Sequence, residues 1–286
     1  MVGRGFTKLC LFIAILVPGQ VSAFGADSPQ LTISLSNDDG YDAPGLRALV
    51  DALTPVGTVI VAAPALEQSG KGHSLTLREP IMVSERKQPN GATWYAIDAP
   101  PATCVRLALE SLLDRRPDIV ISGINRGDNL GATVYHSGTL GAAREAVFSG
   151  VPAIAVSMRG DEIKDYIATA AYIRKLITEL RSQGLLKPGL FLNVNAPAGG
   201  FKGVRVTRLS MKLRPDGYER RTSPRGRLYF WPGWEHLKDE AEGTDVWAFV
   251  RGFITVTPMV LDVTDGKGLE SYMFLETAGA SAARAQ

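Results

Sequence analysis

The chain has 286 residues, 45% hydrophobic and 21% charged, with a formal net charge of +2. That composition is ordinary for a soluble globular protein, and the length suits one large domain or one domain with an elaborated arm. It offers no basic field for a nucleic-acid polymer or an anionic membrane, and two cysteines, Cys10 and Cys104, make no disulfide framework.

Residues 1–23 read as a secretory signal peptide. Arg4 and Lys8 precede an apolar run over 9–17, and Val21-Ser22-Ala23 has the small-x-small spacing of a cleavage site. The run is too short to span a bilayer comfortably, so cleavage leaves no stable membrane span; an uncut anchor is the alternative. This reading places the protein outside the cytoplasm, in the periplasm. Cleavage lowers Lys+Arg from 31 to 29, against 29 Asp+Glu, so the mature chain is formally neutral. It also leaves Cys104 as the single thiol, set at helical spacing among Val105, Leu107 and Ala108 and read as buried and inert.

After a linker over 24–30, β-rich apolar runs alternate with helical patterns from Leu31 onward. Strands are expected at Leu31–Ser36, 58–63, 118–122, 153–157 and 190–194. Helices are expected at Pro44–Leu53, where Leu46, Leu49, Val50 and Leu53 share a face, and at 100–115, 138–149 and 162–180. Alternating β and α elements predict a three-layer, Rossmann-like α/β fold with a mainly parallel sheet. Residues 80–97 read as a hairpin turning at Asn90-Gly91. Residues 209–247, rich in Arg, Gly, Pro and aromatics, read as a protruding C-terminal hairpin arm, a lid or an irregular loop, with aromatics suited to an oligomer contact. The domain is drawn over 31–262, followed by a C-terminal segment, 263–286, with a frayed tail. No Walker-A or strand–GxGxxG–helix fingerprint is present.

The chemistry-bearing segments follow strands. The first strand runs into Ser36-Asn37-Asp38-Asp39-Gly40. Two adjacent carboxylates at the end of a buried strand are costly, and a hard divalent cation offsets that cost. The alternative is Asx-turn chemistry with one aspartate capping the next helix. Strand ends of a parallel sheet converge on one edge, so Ser69 and Asn125 can add neutral oxygens to those of Asp38 and Asp39. An all-oxygen set suits Mg²⁺ or Mn²⁺. Ser137-Gly138-Thr139, a hydroxyl-bearing turn opening a helix, is an anion site by type. Metal plus phosphate turn points to phosphoryl-ester hydrolysis. His73 and His136 are candidate acids or phosphate ligands, or loop residues bonded to backbone.

Four segments in order, SNDDGYDAPGL (36–46), APALEQSGKGHSLTL (63–77), SGINRGDNLG (122–131) and YHSGTLGAAREA (135–146), resemble the SurE family of metal-dependent survival-protein nucleotidases. Weaker echoes are Asn193-Val194-Asn195, Gly243-Thr244-Asp245 and GFITVTP (252–258). The resemblance implies a Rossmann-like core, a C-terminal extension used in oligomerisation as homodimer or homotetramer, and one divalent ion per subunit held by Asp38, Asp39, Ser69 and Asn125. It also implies phosphate binding at Ser137, Gly138 and Thr139 and at Asn125, and hydrolysis of nucleoside monophosphates, with polyphosphate or other small phosphate esters as further substrates. Two departures stand out: the family is usually cytoplasmic, and Ala65-Leu66-Glu67-Gln68 replaces a more usual Asp/Arg-bearing loop. The expected mechanism is water attack assisted by the ion, with Asp38 and Asp39 as its catalytic residues. The competing readings are an aspartyl nucleophile at Asp38 and an exported binding protein for phosphorylated solutes that does not turn them over.

Overall fold

Leu31–Ser36 forms β1, and all six of its residues are buried because it lies mid-sheet with helices on both faces. It was located in a computed structural model that describes residues 30–88, 92–212, 217–233, 235, 238 and 240–276. The signal-peptide reading, the Asn90-Gly91 turn and the C-terminal tail from Ala278 lie outside the described residues.

The other strands of the main sheet are β2 (Gly57–Pro64), β3 (Val83–Lys87), β4 (Thr93–Ile97), β5 (Ile119–Arg126), β6 (Ala153–Met158), β7 (Phe191–Ala196), β8 (Val204–Val206) and β11 (Ile254–Pro258). Their order is β3-β4-β2-β1-β5-β6-β7-β11-β8. The β2, β1, β5, β6 and β7 strands pair in parallel, as the alternating pattern predicts, whereas β3 and β11 run antiparallel to their inner neighbours. The chain leaves β1 to build β2 on one side and returns to place β5 on the other. That reversal opens a crevice at the carboxyl ends of β1 and β5, the place where open α/β sheets bind ligands.

Helices α1 (Pro44–Leu53) and α4 (Ile163–Ser182) cover one face, packing Leu46, Leu49, Leu53, Ile173 and Ile177 against the sheet. Pro44 opens α1 without loss, since a first-turn N–H has no intrahelical partner. On the other face α3 (Gly138–Phe148) buries nine of its eleven residues, which is why its pattern is small-residue rather than amphipathic. Beside it, α2 (Pro101–Leu107) gives way at Ala108–Leu112 to a π-helical turn. The single helix expected over 100–115 is thus corrected. The widened turn sends Leu109 to the α3 cluster and Leu112 and Leu113 to the cluster around Ile97 and Cys104. Cys104 is fully buried, and burial pushes its thiol far above the ordinary range, so it is no nucleophile.

The region expected to form an arm contains a separate antiparallel hairpin, β9 (Gly217–Thr222) and β10 (Leu228–Gly233), exposed along its whole length. After it, Thr244 caps α5 (Asp245–Val250) by accepting from Trp247 N–H. Fully buried Asp245 accepts backbone N–H groups from Gly131 (2.7 Å), Ser210 (2.8 Å) and Val246 (2.9 Å), tying the loop after β5 to the C-terminal region. Asp245→Ala orphans these donors and is expected to cost about 3 kcal/mol of folding stability, read by chemical denaturation. No helix among the described residues is long and apolar enough to cross a membrane.

Candidate metal and phosphate site

β1 runs into Asn37, Asp38 and Asp39, and the chain turns at Gly40, whose φ of +104° only glycine adopts readily. The Asn37 amide locks that turn by donating to Gly40 O at 2.7 Å. Asp38 is 4% exposed. Its Oδ1 accepts the Thr139 hydroxyl at 2.6 Å. Burial, opposed by that hydrogen bond and reinforced by the Asp39 charge, pushes its carboxyl up to about 7. Asp39 is half-buried and accepts Arg126 N–H at 2.9 Å. Burial raises its pKa as well, against the Arg126 backbone bond and guanidinium, while Glu67 adds repulsion.

Three segments close around this pair. The first is the start of α3. A Cβ on Gly138 would stand 3.0 Å from Asp38 Cβ and 3.1 Å from its Oδ2, so only a bare backbone lets the helix N-terminus reach the carboxylate. The hydroxyls of the turn are already engaged: Ser137 Oγ caps α3 by accepting from Leu140 N–H (3.1 Å), and Thr139 fastens Asp38. The second is the irregular loop carrying Ser69. Gln68 N–H donates to Asp38 O (2.7 Å) and Gly72 N–H to His136 O (3.1 Å). Ser69 itself is exposed, on the loop that the Gln68 bond fastens to the aspartate segment. The third is the end of β5, where the register against β6 shifts between Ser122 and Asn125, a bulge that re-aims the following side chains. Asn125 spends its amide nitrogen on Gly127 O (2.7 Å), which leaves its carbonyl oxygen as the donor to any cation. Behind it, Asn129 is braced by Asn195, Asn193 and Ser157, giving the Asn193/Asn195 strand end a supporting role.

His73 does not have a free ring. Its Nε2 lies 2.7 Å from Glu145 Oε2, while Arg106 Nε donates to Glu145 Oε1 at 2.6 Å. These partners outweigh the burial of Glu145 and hold its carboxyl below the usual range. The cluster pins the Ser69 loop to α3. His136 is exposed.

Among the described residues no three His, Cys, Asp or Glu side chains converge on a point, so a cation here would rest on two carboxylates plus neutral oxygens. The chemistry of the donors fits a hard divalent ion. Two carboxylates are held where burial penalises their charge, and the groups that restrain them are a hydroxyl, backbone N–H groups and one guanidinium. Sequence reading did not find Arg126, Glu145 or Arg106. Arg126 was visible only as a residue inside a motif, and Glu145 as a lone acid on a small-residue helix.

Residues 33–215 match the family model for survival protein SurE. The chain is 40% identical to the 5′-nucleotidase SurE of Pelotomaculum thermopropionicum over 243 residues, 84% of this chain and 93% of that protein. It is 43% identical to the 5′-nucleotidase SurE of Heliobacterium modesticaldum over 241 residues, 82% of this chain and 88% of that one. The crystal structure of the SurE protein from Aquifex aeolicus superposes with a TM-score of 0.74 at 37% identity, covering 86% of this chain and 99% of the other.

Proposed function

The chain belongs to the SurE survival-protein family, and we propose on that premise that it hydrolyses nucleoside 5′-monophosphates, and 3′ esters by the same chemistry, with one divalent cation per subunit held by Asp38, Asp39, Ser69 and Asn125. It is a nucleotidase, a phosphomonoester hydrolase. The observation that carries the metal assignment is the Asp38–Asp39 pair at the switch-point crevice, with Asp38 buried against the N-terminus of α3 and Asp39 half-buried beside it.

Each residue has a physical task. Asp38 and Asp39 present anionic oxygens. Thr139 fixes the Asp38 carboxylate through the 2.6 Å bond, so the rotamer is set before any ligand arrives. Ser137 shapes the first turn of α3, and Gly138 keeps it bare, so that backbone N–H groups and the positive end of the helix face a phosphate. Asn125 offers its carbonyl oxygen toward the ion and, with the turn, binds the phosphate. When bound, Mg²⁺ or Mn²⁺ supplies Lewis-acid polarisation of the phosphate and a more acidic water. A carboxylate oxygen of Asp38 or Asp39 takes the water's proton, with exposed His136 the next candidate; His73 is committed to Glu145. An aspartyl nucleophile at Asp38 is disfavoured, because the chain offers adjacent aspartates rather than the Asp-x-Asp spacing usual for that chemistry.

We assign the enzyme to the space outside the cytoplasm on its first 23 residues. We assign the exposed β9–β10 hairpin, with Tyr218, Tyr229, Phe230 and Trp231 in water in a single chain, to self-association as a homodimer or homotetramer. Light scattering after gel filtration is expected to show that assembly, and deletion of 217–233 to reduce its size.

The function is tested by phosphate release from AMP with metal-stripped protein, before and after adding Mn²⁺ or Mg²⁺. Release is expected only with metal. Release without metal contradicts the proposed site, and AMP binding without release under both ions supports a binding protein instead.

A further inference from the structure

The loop that carries Ser69, residues 65–82, contains no helix or strand, and none of its residues is buried. A segment with so little apolar burial takes its place from polar tethers rather than from packing. We infer that Glu145, braced by Arg106, is a positioning residue that acts through His73 to hold Ser69 at the aspartate pair, so that α2 and α3 set the affinity for the divalent ion. This role rests on the nucleotidase reading, with Ser69 as a ligand of the ion.

One face of α3 governs the loop. Gly138, Gly141, Glu145 and Phe148 recur at helical spacing. Gly138 lies against Asp38, Gly141 against the Gly72 backbone, and Glu145 and Phe148 against His73. The same helix therefore meets the aspartates at its first turn and the loop over the turns that follow. Glu145 is 2% exposed. Its Oε2 lies 2.7 Å from His73 Nε2, and its Oε1 accepts Arg106 Nε–H at 2.6 Å, so both oxygens are engaged. Burial pushes this carboxyl up, but the His73 and Arg106 bonds bring it below its usual range. It is therefore ionised and only accepts, and His73 Nε2 carries the proton between them. The His73 ring also stacks on Phe148 with centroids 5.8 Å apart, which fixes its plane. From α2, Arg106 holds the carboxylate, while Thr103 one turn earlier accepts Thr76 N–H at 2.9 Å. Ser69 is thus bracketed. On one side Gln68 N–H donates to Asp38 O at 2.7 Å, and on the other His73 meets Glu145. Between Ser69 and His73 stand Gly70 and Gly72, at φ of +73° and +57°. Glycine adopts such conformations freely but does not enforce them, so the tethers must. A buried ion cluster adds little net stability over apolar side chains of the same volume; its worth here lies in where it puts the loop.

The test is a double-mutant cycle on the full, metal-stripped chain, with Mn²⁺ binding followed by electron paramagnetic resonance. Glu145→Gln and His73→Ala are each expected to weaken Mn²⁺ binding about ten-fold, as loss of a support behind a metal ligand commonly does. Ser69→Ala is expected to weaken it comparably. Adding His73→Ala to Ser69→Ala is expected to cost less than about two-fold more, because residues that act through one ligand are not additive. A merely structural role would cost the ten-fold again. His73→Ala removes a partly exposed ring and leaves the Glu145–Arg106 pair in place, so it decides the matter even where Glu145→Gln does not fold. AMP turnover gives a second reading. In His73→Ala the Mn²⁺ concentration for half-maximal rate is expected to rise about ten-fold, while kcat at saturating Mn²⁺ approaches that of the parent. Parent-like Mn²⁺ affinity in Glu145→Gln and His73→Ala with Ser69→Ala weakened, or full additivity in the cycle, overturns the positioning role and leaves the metal site standing. Absence of Mn²⁺ binding by the parent overturns the metal-dependent nucleotidase reading and this role with it.

Discussion

Replacing Asp38 by Asn is expected to abolish metal-dependent phosphate release, by about 10³-fold or more, and at the same time to stabilise the metal-free protein above pH 7. The two effects have one cause. Asp38 is held in a nearly dry position where its carboxyl titrates near 7, well above its ordinary 3.8. Between those values the folded chain keeps a proton that the unfolded chain has lost. Stability from this group is therefore complete below about pH 4, falls as pH rises, and is gone above about pH 7. Three pH units correspond to roughly 4 kcal/mol. Asparagine has no charge to desolvate, and its amide oxygen still accepts the Thr139 hydroxyl. Thermal midpoints of metal-stripped parent and variant at pH 5 and pH 8 read this directly: the parent is expected to lose stability over that interval and Asp38→Asn to lose far less. Equal slopes would mean that Asp38 is not charged at a cost in the free protein. Excess Mn²⁺ is expected to reverse the parent's slope, because a cation binds the ionised form. Asp39→Asn is expected to lose activity similarly with a smaller gain in stability, since Asp39 is less buried.

Gly141→Ala is expected to lower kcat/KM about 10²-fold without touching any residue assigned to substrate or ion. Gly141 faces the Ser69 loop from α3. A Cβ there would overlap Gly72 O and stand 2.9 Å from Gly72 C and 3.1 Å from His73 Cα. All three are backbone atoms, so no side chain can swing aside; the loop itself must move. It carries Ser69 three residues upstream and is held to the site through Gln68 N–H, Gly72 N–H and the His73–Glu145 contact. Misplacement of a positioned group by about 1 Å costs about 10²-fold, and overpacking adds about 1–3 kcal/mol of instability. Gly217→Ala, at the start of the exposed hairpin with nothing within 4 Å of its Cβ, is the matched control. Comparable losses in both would show that loop placement by α3 is not what activity depends on.

What the sequence disclosed is what depends on near neighbours. β1 and α1 fall on their expected residues, because a buried strand and a proline-started amphipathic helix each carry their signal within ten residues. The helix expected over 100–115 forms at Pro101–Leu107 and leaves α geometry at Ala108–Leu112 for a tertiary reason. Its leucines serve two different clusters, and the backbone widens to reach both. The aspartate pair was legible because two adjacent acids after a buried strand are locally anomalous. Its surroundings were not. Arg126 N–H meets Asp39 across 87 residues and His73 meets Glu145 across 72, and no periodicity encodes such meetings. Ser137 and Thr139 show the converse. Their hydroxyls looked free for phosphate, yet geometry engages one in capping α3 and the other in orienting Asp38, which leaves the backbone of the turn to meet an anion.

The most direct test is anomalous diffraction from crystals grown with Mn²⁺ and AMP. One anomalous peak per subunit is expected between the Asp38 and Asp39 carboxylates, within coordinating distance of Ser69 Oγ and Asn125 Oδ1, with the phosphate against the first turn of α3. A peak elsewhere, or full occupancy of AMP with no metal at the aspartates, would contradict the account.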